Sequence, residues 1–242
     1  MNTDIDIYIP NTECHITAKA KATTTATATT IQCRSPNVSI TSIIANVCLV
    51  NEYKTVLEIG TSGFKRATQF MDPISDDVLP QVDYTYCRHV VENIQNPEFV
   101  MSEIIRVSQH GGYIETPSPL IEITKNIDTS QPYCGYIQTR YIVWSNIQKN
   151  EIYFLPKYSC VLDHMLKFSD SSQPFMNHLI HNYPVYWNNY FIFNSRDKPR
   201  VIIYKNGVDF TLPAGYIDMV CRSIEESIAN TNYFIETHRR MV

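Results

Sequence analysis

The sequence predicts an α/β fold, a mostly parallel sheet with helical crossovers that is completed by antiparallel strands from the C-terminal half. Three observations predict it. The run KTVLEIGTSGF is a β-branched apolar stretch entering a glycine turn. VDYTYC, a helical stretch and GYIETPSP then follow in the order strand, helix, strand. Beyond residue 120 the pattern changes to short aromatic strands, YIVWSN, EIYFLP, YFIFNS and RVIIYKNGVDFTL.

Each element has a local cause. In SITSIIANVCLV, apolar Ile43, Ile44, Val47 and Val50 fall at helical spacing behind Ser39 or Thr41 as N-cap, so a helix precedes the first sheet strand. Phe99, Val100, Ile104, Ile105 and Val107 mark a second helix with Pro97 in its first turn, where a missing N–H does no harm. Gly111 and Gly112 are expected to end that helix as cap and turn residues, and Pro117 and Pro119 to break the strand after it. Lys205-Asn206-Gly207 predicts a hairpin, because Asn-Gly supplies positive φ at both turn positions. A short helix is expected near residues 160–168, and a long one over YIDMVCRSIEESIANTNYFIETHRRM. Upstream, AKAKATTTATATTIQ (Ala18 to Gln32) is low in complexity and offers little to a core. The expected organisation is an arm over residues 1–38 and one domain over 39–242, divided into 39–119 and a region of sheet completion and aromatic cap over 120–242.

Composition excludes several classes. Of 242 residues, 44% are hydrophobic and 18% charged, enough to bury a sizeable core. A formal net charge of -4 without clustered Lys and Arg gives no electrostatic reason to bind nucleic acid. No run of about 18 apolar residues exists, and MNTDIDIYIPNTE lacks the pattern of a secretory signal, so no membrane span is expected and the location expected is cytoplasmic. The seven cysteines form no C-x-x-C pair, and His164, His178 and His181 match no ligand spacing; neither disulfides nor a metal are expected.

Val56 to Gly63 (VLEIGTSG) and Val82 to Pro119 closely resemble class I S-adenosylmethionine-dependent methyltransferases. The resemblance implies a Rossmann-like sheet in which an acidic residue and a glycine turn after the first strand hold the cofactor. Glu58, Gly60, Thr61 and Gly63 occupy those positions. Asp83, Tyr84, the His89-Val-Val-Glu92 step and Asn96-Pro97 match the family order after a later strand, whose end forms the floor of the active site. Cys87 and Arg88 then join the cofactor-binding set, and His89 is either a general base for an acceptor hydroxyl or a helix-capping side chain. Glu92 reads as an exposed acid at a helix N-terminus.

The sequence departs from the family at Ser62, where a glycine is usual, and at Asn93, where a second histidine is common. The interval from Ile59 to Val82 is also too short for two full strands and a helix, so the second and third strands are expected to be shortened or lost. Asp72 is the candidate acid for the ribose hydroxyls, or matches a later aspartate near the adenine; Arg140, Trp144 and Tyr153 are candidate substrate contacts or core aromatics. The resemblance therefore implies transfer of a methyl group from S-adenosylmethionine to a small-molecule or glycan hydroxyl. The runner-up is an inactive methyltransferase fold kept as a binding or scaffold module. Scarce glycine, with 16 Tyr and abundant Ile and Asn, resembles proteins of AT-rich genomes such as those of large DNA viruses, which would place a viral protein in the host cytoplasm. Exposed aromatic strands admit edge-to-edge pairing into a homodimer.

Overall fold

A computed structural model describes residues 3–8, 15–20, 53–60, 69–71, 81–125, 127, 134–159, 161–162, 180–205 and 214–238. Strands β1 (Thr3–Tyr8) and β2 (His15–Ala20) pair as an antiparallel ribbon. The main sheet contains β3 (Val56–Ile59), β4 (Gln69–Met71), β5 (Val82–Arg88), β6 (Ser108–Pro117) and β9 (Asn188–Asn194). Its order is β4-β3-β5-β6-β9, with β9 alone antiparallel to its neighbour. Of the interval between β3 and β5, where the second and third strands were expected to be shortened or lost, most lies outside the described residues.

The C-terminal strands do not all complete this sheet. Strands β7 (Tyr141–Asn146), β8 (Glu151–Pro156) and β10 (Arg200–Ile203) form a separate three-stranded sheet, order β10-β8-β7. Within it β10 runs parallel to β8, not antiparallel. The architecture is thus mixed α/β with separate sheets, and the single continuous sheet expected from the sequence is corrected. The physical reason lies in burial: β7 and β8 place side chains into apolar clusters on both faces, so they serve as an inner layer and not as an edge extension.

Period-two alternation distributes the core. On β5, β6 and β9, Tyr86, Tyr113 and Tyr190 enter one cluster and Cys87, Ile114 and Phe191 the other. Helix α1 (Pro97–Val107) covers the second cluster with Met101, Ile104 and Val107, each worth about 1.5–3 kcal/mol when fully buried. Its start follows the sequence signal, since Asn96 Oδ1 accepts from the Phe99 N–H at 3.2 Å and Pro97 opens the helix. Its end does not. Ser108 closes the helix, and Gly111 and Gly112 lie inside β6, where a Cβ on Gly112 would come within 2.2 Å of Thr85 Oγ1. A close strand crossing, not a helix cap, explains that glycine.

A short helix α2 (Pro119–Glu122) begins at Ser118, whose Oγ accepts from the Ile121 N–H at 3.2 Å. The long helix α3 (Tyr216–His238) matches the expected closing helix and packs Val220, Ile224, Ile228 and Phe234 into the first cluster. The expected helix over SITSIIANVCLV and the turn at Asn206-Gly207 lie outside the described residues, as does most of 160–168. Among the described residues no helix is long and apolar enough to cross a membrane.

The two sheets and α3 meet at Asn230. Its Oδ1 accepts from the Ile147 N–H at 2.8 Å, and its Nδ2 donates to the Tyr190 carbonyl at 2.8 Å and to Ser145 Oγ at 3.0 Å. Asn230→Ala leaves the Ile147 N–H without its partner, while Ser145 and the Tyr190 carbonyl keep their bond to each other, and is expected to lower unfolding stability by about 2 kcal/mol, measured as a shift of the urea midpoint with the slope unchanged.

Candidate active site

In the main sheet the chain passes from β3 outward to β4 and then back to β5 on the other side of β3. Strand order therefore reverses between β3 and β5, and the carboxyl ends of those strands are where open α/β sheets generally bind ligands. Gly60 lies at this point with φ 107°. A Cβ there would stand 2.8 Å from Val90 Cγ2 and 3.0 Å from the Arg88 carbonyl oxygen, so the two strand ends leave no room for a side chain. Two residues back, Glu58 is fully buried, opposite Phe70 on one side and Tyr86 on the other. Its place beside the switch point matches the acidic position that the resemblance assigns to the cofactor.

The end of β5 makes the opposite wall. His89 adopts φ 54°, a left-handed conformation that costs a non-glycine residue about 1 kcal/mol or more. Its N–H donates to the Glu115 carbonyl at 2.8 Å, which holds that conformation against the end of β6. The imidazole Nδ1 lies 3.8 Å from Glu92 Oε1 and Nε2 lies 3.6 Å from Glu115 Oε1. Burial lowers the His89 pKa, opposed by Glu115 and assisted by Arg88, so the ring is neutral near neutral pH.

Three carboxyl groups surround this wall, none of them assigned to a site by the sequence. Glu115 accepts from Arg88 Nε at 2.8 Å, Asn188 Nδ2 at 2.7 Å and the Tyr113 hydroxyl at 2.5 Å. Glu122 pairs with Lys157 Nζ in full burial, and that ammonium also donates to the Tyr136 carbonyl at 2.8 Å. Burial raises the Glu122 pKa, with Lys157 acting against it. Glu92, expected as an exposed helix acid, is instead 2% exposed in a three-residue 3-10 turn (Val91–Asn93). The segment ahead of β7 covers it, with the Arg140 N–H donating to the Glu92 carbonyl at 2.9 Å. Burial pushes its carboxyl up to about 8, reinforced by Glu122 and Glu115 and opposed by hydrogen bonds from its own backbone and from Asn93.

The structure thus brings Gly60, Arg88 and His89 together, with Arg140 joined through its backbone. Arg88 is held by Glu115 and is not free to meet a ligand unaided. Cys87 is fully buried with Ile59 and Val90, and burial raises its thiol pKa. Trp144 and Tyr153 belong to the three-stranded sheet, stacked 5.0 Å apart, with Trp144 Nε1 donating to Glu226 Oε2 at 2.6 Å and the Tyr153 hydroxyl donating to Glu151. Their polar atoms face those partners. Thr61, Gly63 and Asp72 lie outside the described residues, as do His164 and His178. Asp83 sits at the opposite end of β5, where its Oδ2 accepts from the Lys54 and Thr55 N–H groups at 2.8 Å and fastens the segment entering β3. Among the described residues no group of three His, Cys, Asp or Glu side chains is arranged to hold a metal ion. For two of the missed acids a sequence signal was present: Glu115 and Glu122 are the charged residues in the run Tyr113 to Ile123.

No protein-family model matches the chain, and no curated protein does.

Glu92 keeps its proton in the folded chain up to about pH 8, while in the unfolded chain it ionises near 4.5. The folded state therefore binds more protons between those values, and this residue's contribution to stability falls as pH rises through them. Glu92→Gln removes the effect. Urea unfolding of both proteins at about pH 5 and about pH 8 is expected to show the variant gaining on the wild type at the higher pH.

Proposed function

We propose that the chain is an S-adenosylmethionine-dependent methyltransferase whose acceptor is the hydroxyl group of a small molecule or sugar. The observation that carries this reading is Gly60, held at positive φ where the strand order reverses, in a cradle so close to Val90 and the Arg88 carbonyl that no Cβ fits. Such a cradle fits close approach of a ligand to the backbone, and the buried Glu58 beside it fits the acidic position of the resembled family. S-adenosylmethionine, when bound, supplies an electrophilic methyl group. The chain's own part is to orient that group and the acceptor, an effect worth several kcal/mol, and to remove a proton. His89, neutral and 39% exposed at the end of β5, is the base in this reading.

A second reading, an inactive fold kept for binding, is favoured by one specific observation. Among the described residues only the three of β4 follow β3 before β5, fewer than the resembled family places in that interval. Calorimetric titration with S-adenosylmethionine and with its demethylated product separates the two. The enzyme reading expects micromolar binding that Glu58→Gln weakens at least tenfold, about 1.4 kcal/mol, with the variant's circular dichroism unchanged. Absence of heat at millimolar ligand would leave only the second reading. Where binding holds, a screen of hydroxylated acceptors is expected to show turnover that His89→Asn lowers by about 10²- to 10⁴-fold.

A further inference from the structure

The charges around His89 do not balance among the permanently ionised groups. Glu115 is matched by Arg88 at 2.8 Å, and Glu122 by Lys157. Each pair is neutral as a whole wherever its proton sits. Glu92 has no cation of its own among the described residues: Arg140 reaches it only through a backbone N–H, and the carboxamide of Asn93, at 3.2 Å, carries no charge. Its Oε2 is buried and accepts no hydrogen bond among the described residues. The group in reach that can change this balance is the imidazole, with Nδ1 at 3.8 Å. The remaining titratable neighbours are Cys87 on β5, Tyr113 and Glu115 on β6 and Glu122 on α2. The first two hold their protons and the last two are paired.

We propose that Glu92 and His89 hold one proton between them and act as a single acid–base unit, Glu92 adjusting its charge when His89 takes a proton from an acceptor hydroxyl. The proposal rests on the methyltransferase reading and deepens it. In the step, the acceptor O–H bond breaks and its proton passes to His89, while the oxygen's electron pair forms the new O–C bond. The pair of the broken S–C bond stays on sulfur. Glu92 then releases its own proton to solvent, and the carboxylate left behind balances the imidazolium. Glu92 touches no reacting atom and is a positioning residue. Its burial beneath the segment ahead of β7 keeps water from serving as the counter-charge instead.

Titration of the full-length chain, without cofactor, tests this. The imidazole signals of His89, assigned by their loss in His89→Asn, are followed by nuclear magnetic resonance from about pH 5 to about pH 9. The wild type is expected to show a step near 8, where the paired carboxyl ionises. In Glu92→Gln that step is expected to vanish, leaving a single transition below the ordinary value of 6.5. Identical His89 titrations in the two proteins would overturn the proposal. Infrared difference spectra of the wild type keep the test decisive should the variant fail to fold: a protonated-carboxyl band lost near 8 supports the shared proton, and a carboxylate already ionised at about pH 6 excludes it. Failure here leaves the calorimetry with S-adenosylmethionine untouched, and failure of that calorimetry leaves this titration standing, so the two readings fall separately.

Discussion

The carboxamide of Asn230 is where the molecule's two sheets and its last helix are joined. Among the described residues the sheets share no ladder of backbone hydrogen bonds, since β7 and β9 belong to different sheets. Side chains must make the connection, and in a buried layer they must do so with every polar atom satisfied. Asn230 takes one N–H from the turn after β7 and gives its own two to Ser145 and the β9 backbone, so nothing in the junction is left bare. The Trp144 indole on Glu226 and the apolar row of α3 then seat the helix on the same junction. Beside that seam, the Ser145 hydroxyl also bonds to β9, and these directional contacts fix an angle that apolar contact, which is not directional, would leave loose.

The same rule of satisfaction, applied at the strand ends, separates scaffold from site. Glu115 has three donors and acts as a fixed point that holds Arg88, Tyr113 and Asn188 in place. Glu122 has its ammonium. Buried pairs of this kind add little net stability, because desolvation offsets their attraction. Their value is positional: they set the surroundings of His89, whose strained backbone survives because β6 holds its N–H. Glu92 and Glu122 each keep one unanswered carboxyl oxygen, and of the two Glu92 has no ammonium beside it.

How much of this could be read beforehand depends on whether the cause is local. Strands β3, β5 and β6 were legible from apolar runs, and α1 from Pro97 and the spacing of Phe99, Val100, Ile104, Ile105 and Val107, because such signals act within a turn or two. Strands β7 and β8 were legible as strands but not as a second sheet, since partner choice depends on residues far along the chain. Gly111 and Gly112 misled for the same reason: their smallness answers to Phe193 and Thr85 across the sheet, not to the helix that ends before them. Of the site, Glu58, Gly60 and His89 stood out through their motif, whereas Glu92 read as a surface acid. What buries it is a loop nearly fifty residues downstream, and no local pattern announces that.

The order in which the chain visits its two sheets has a further consequence. After β6 it leaves the main sheet to form β7 and β8, returns for β9, and leaves again for β10 before α3 closes both layers. The sheets are woven into one another, so no single cut releases either one whole. A shortened chain ending before residue 188 would expose the full edge of β6, a row of unpaired backbone groups inviting aggregation. Both layers must therefore form together, through distant pairings that fold slowly.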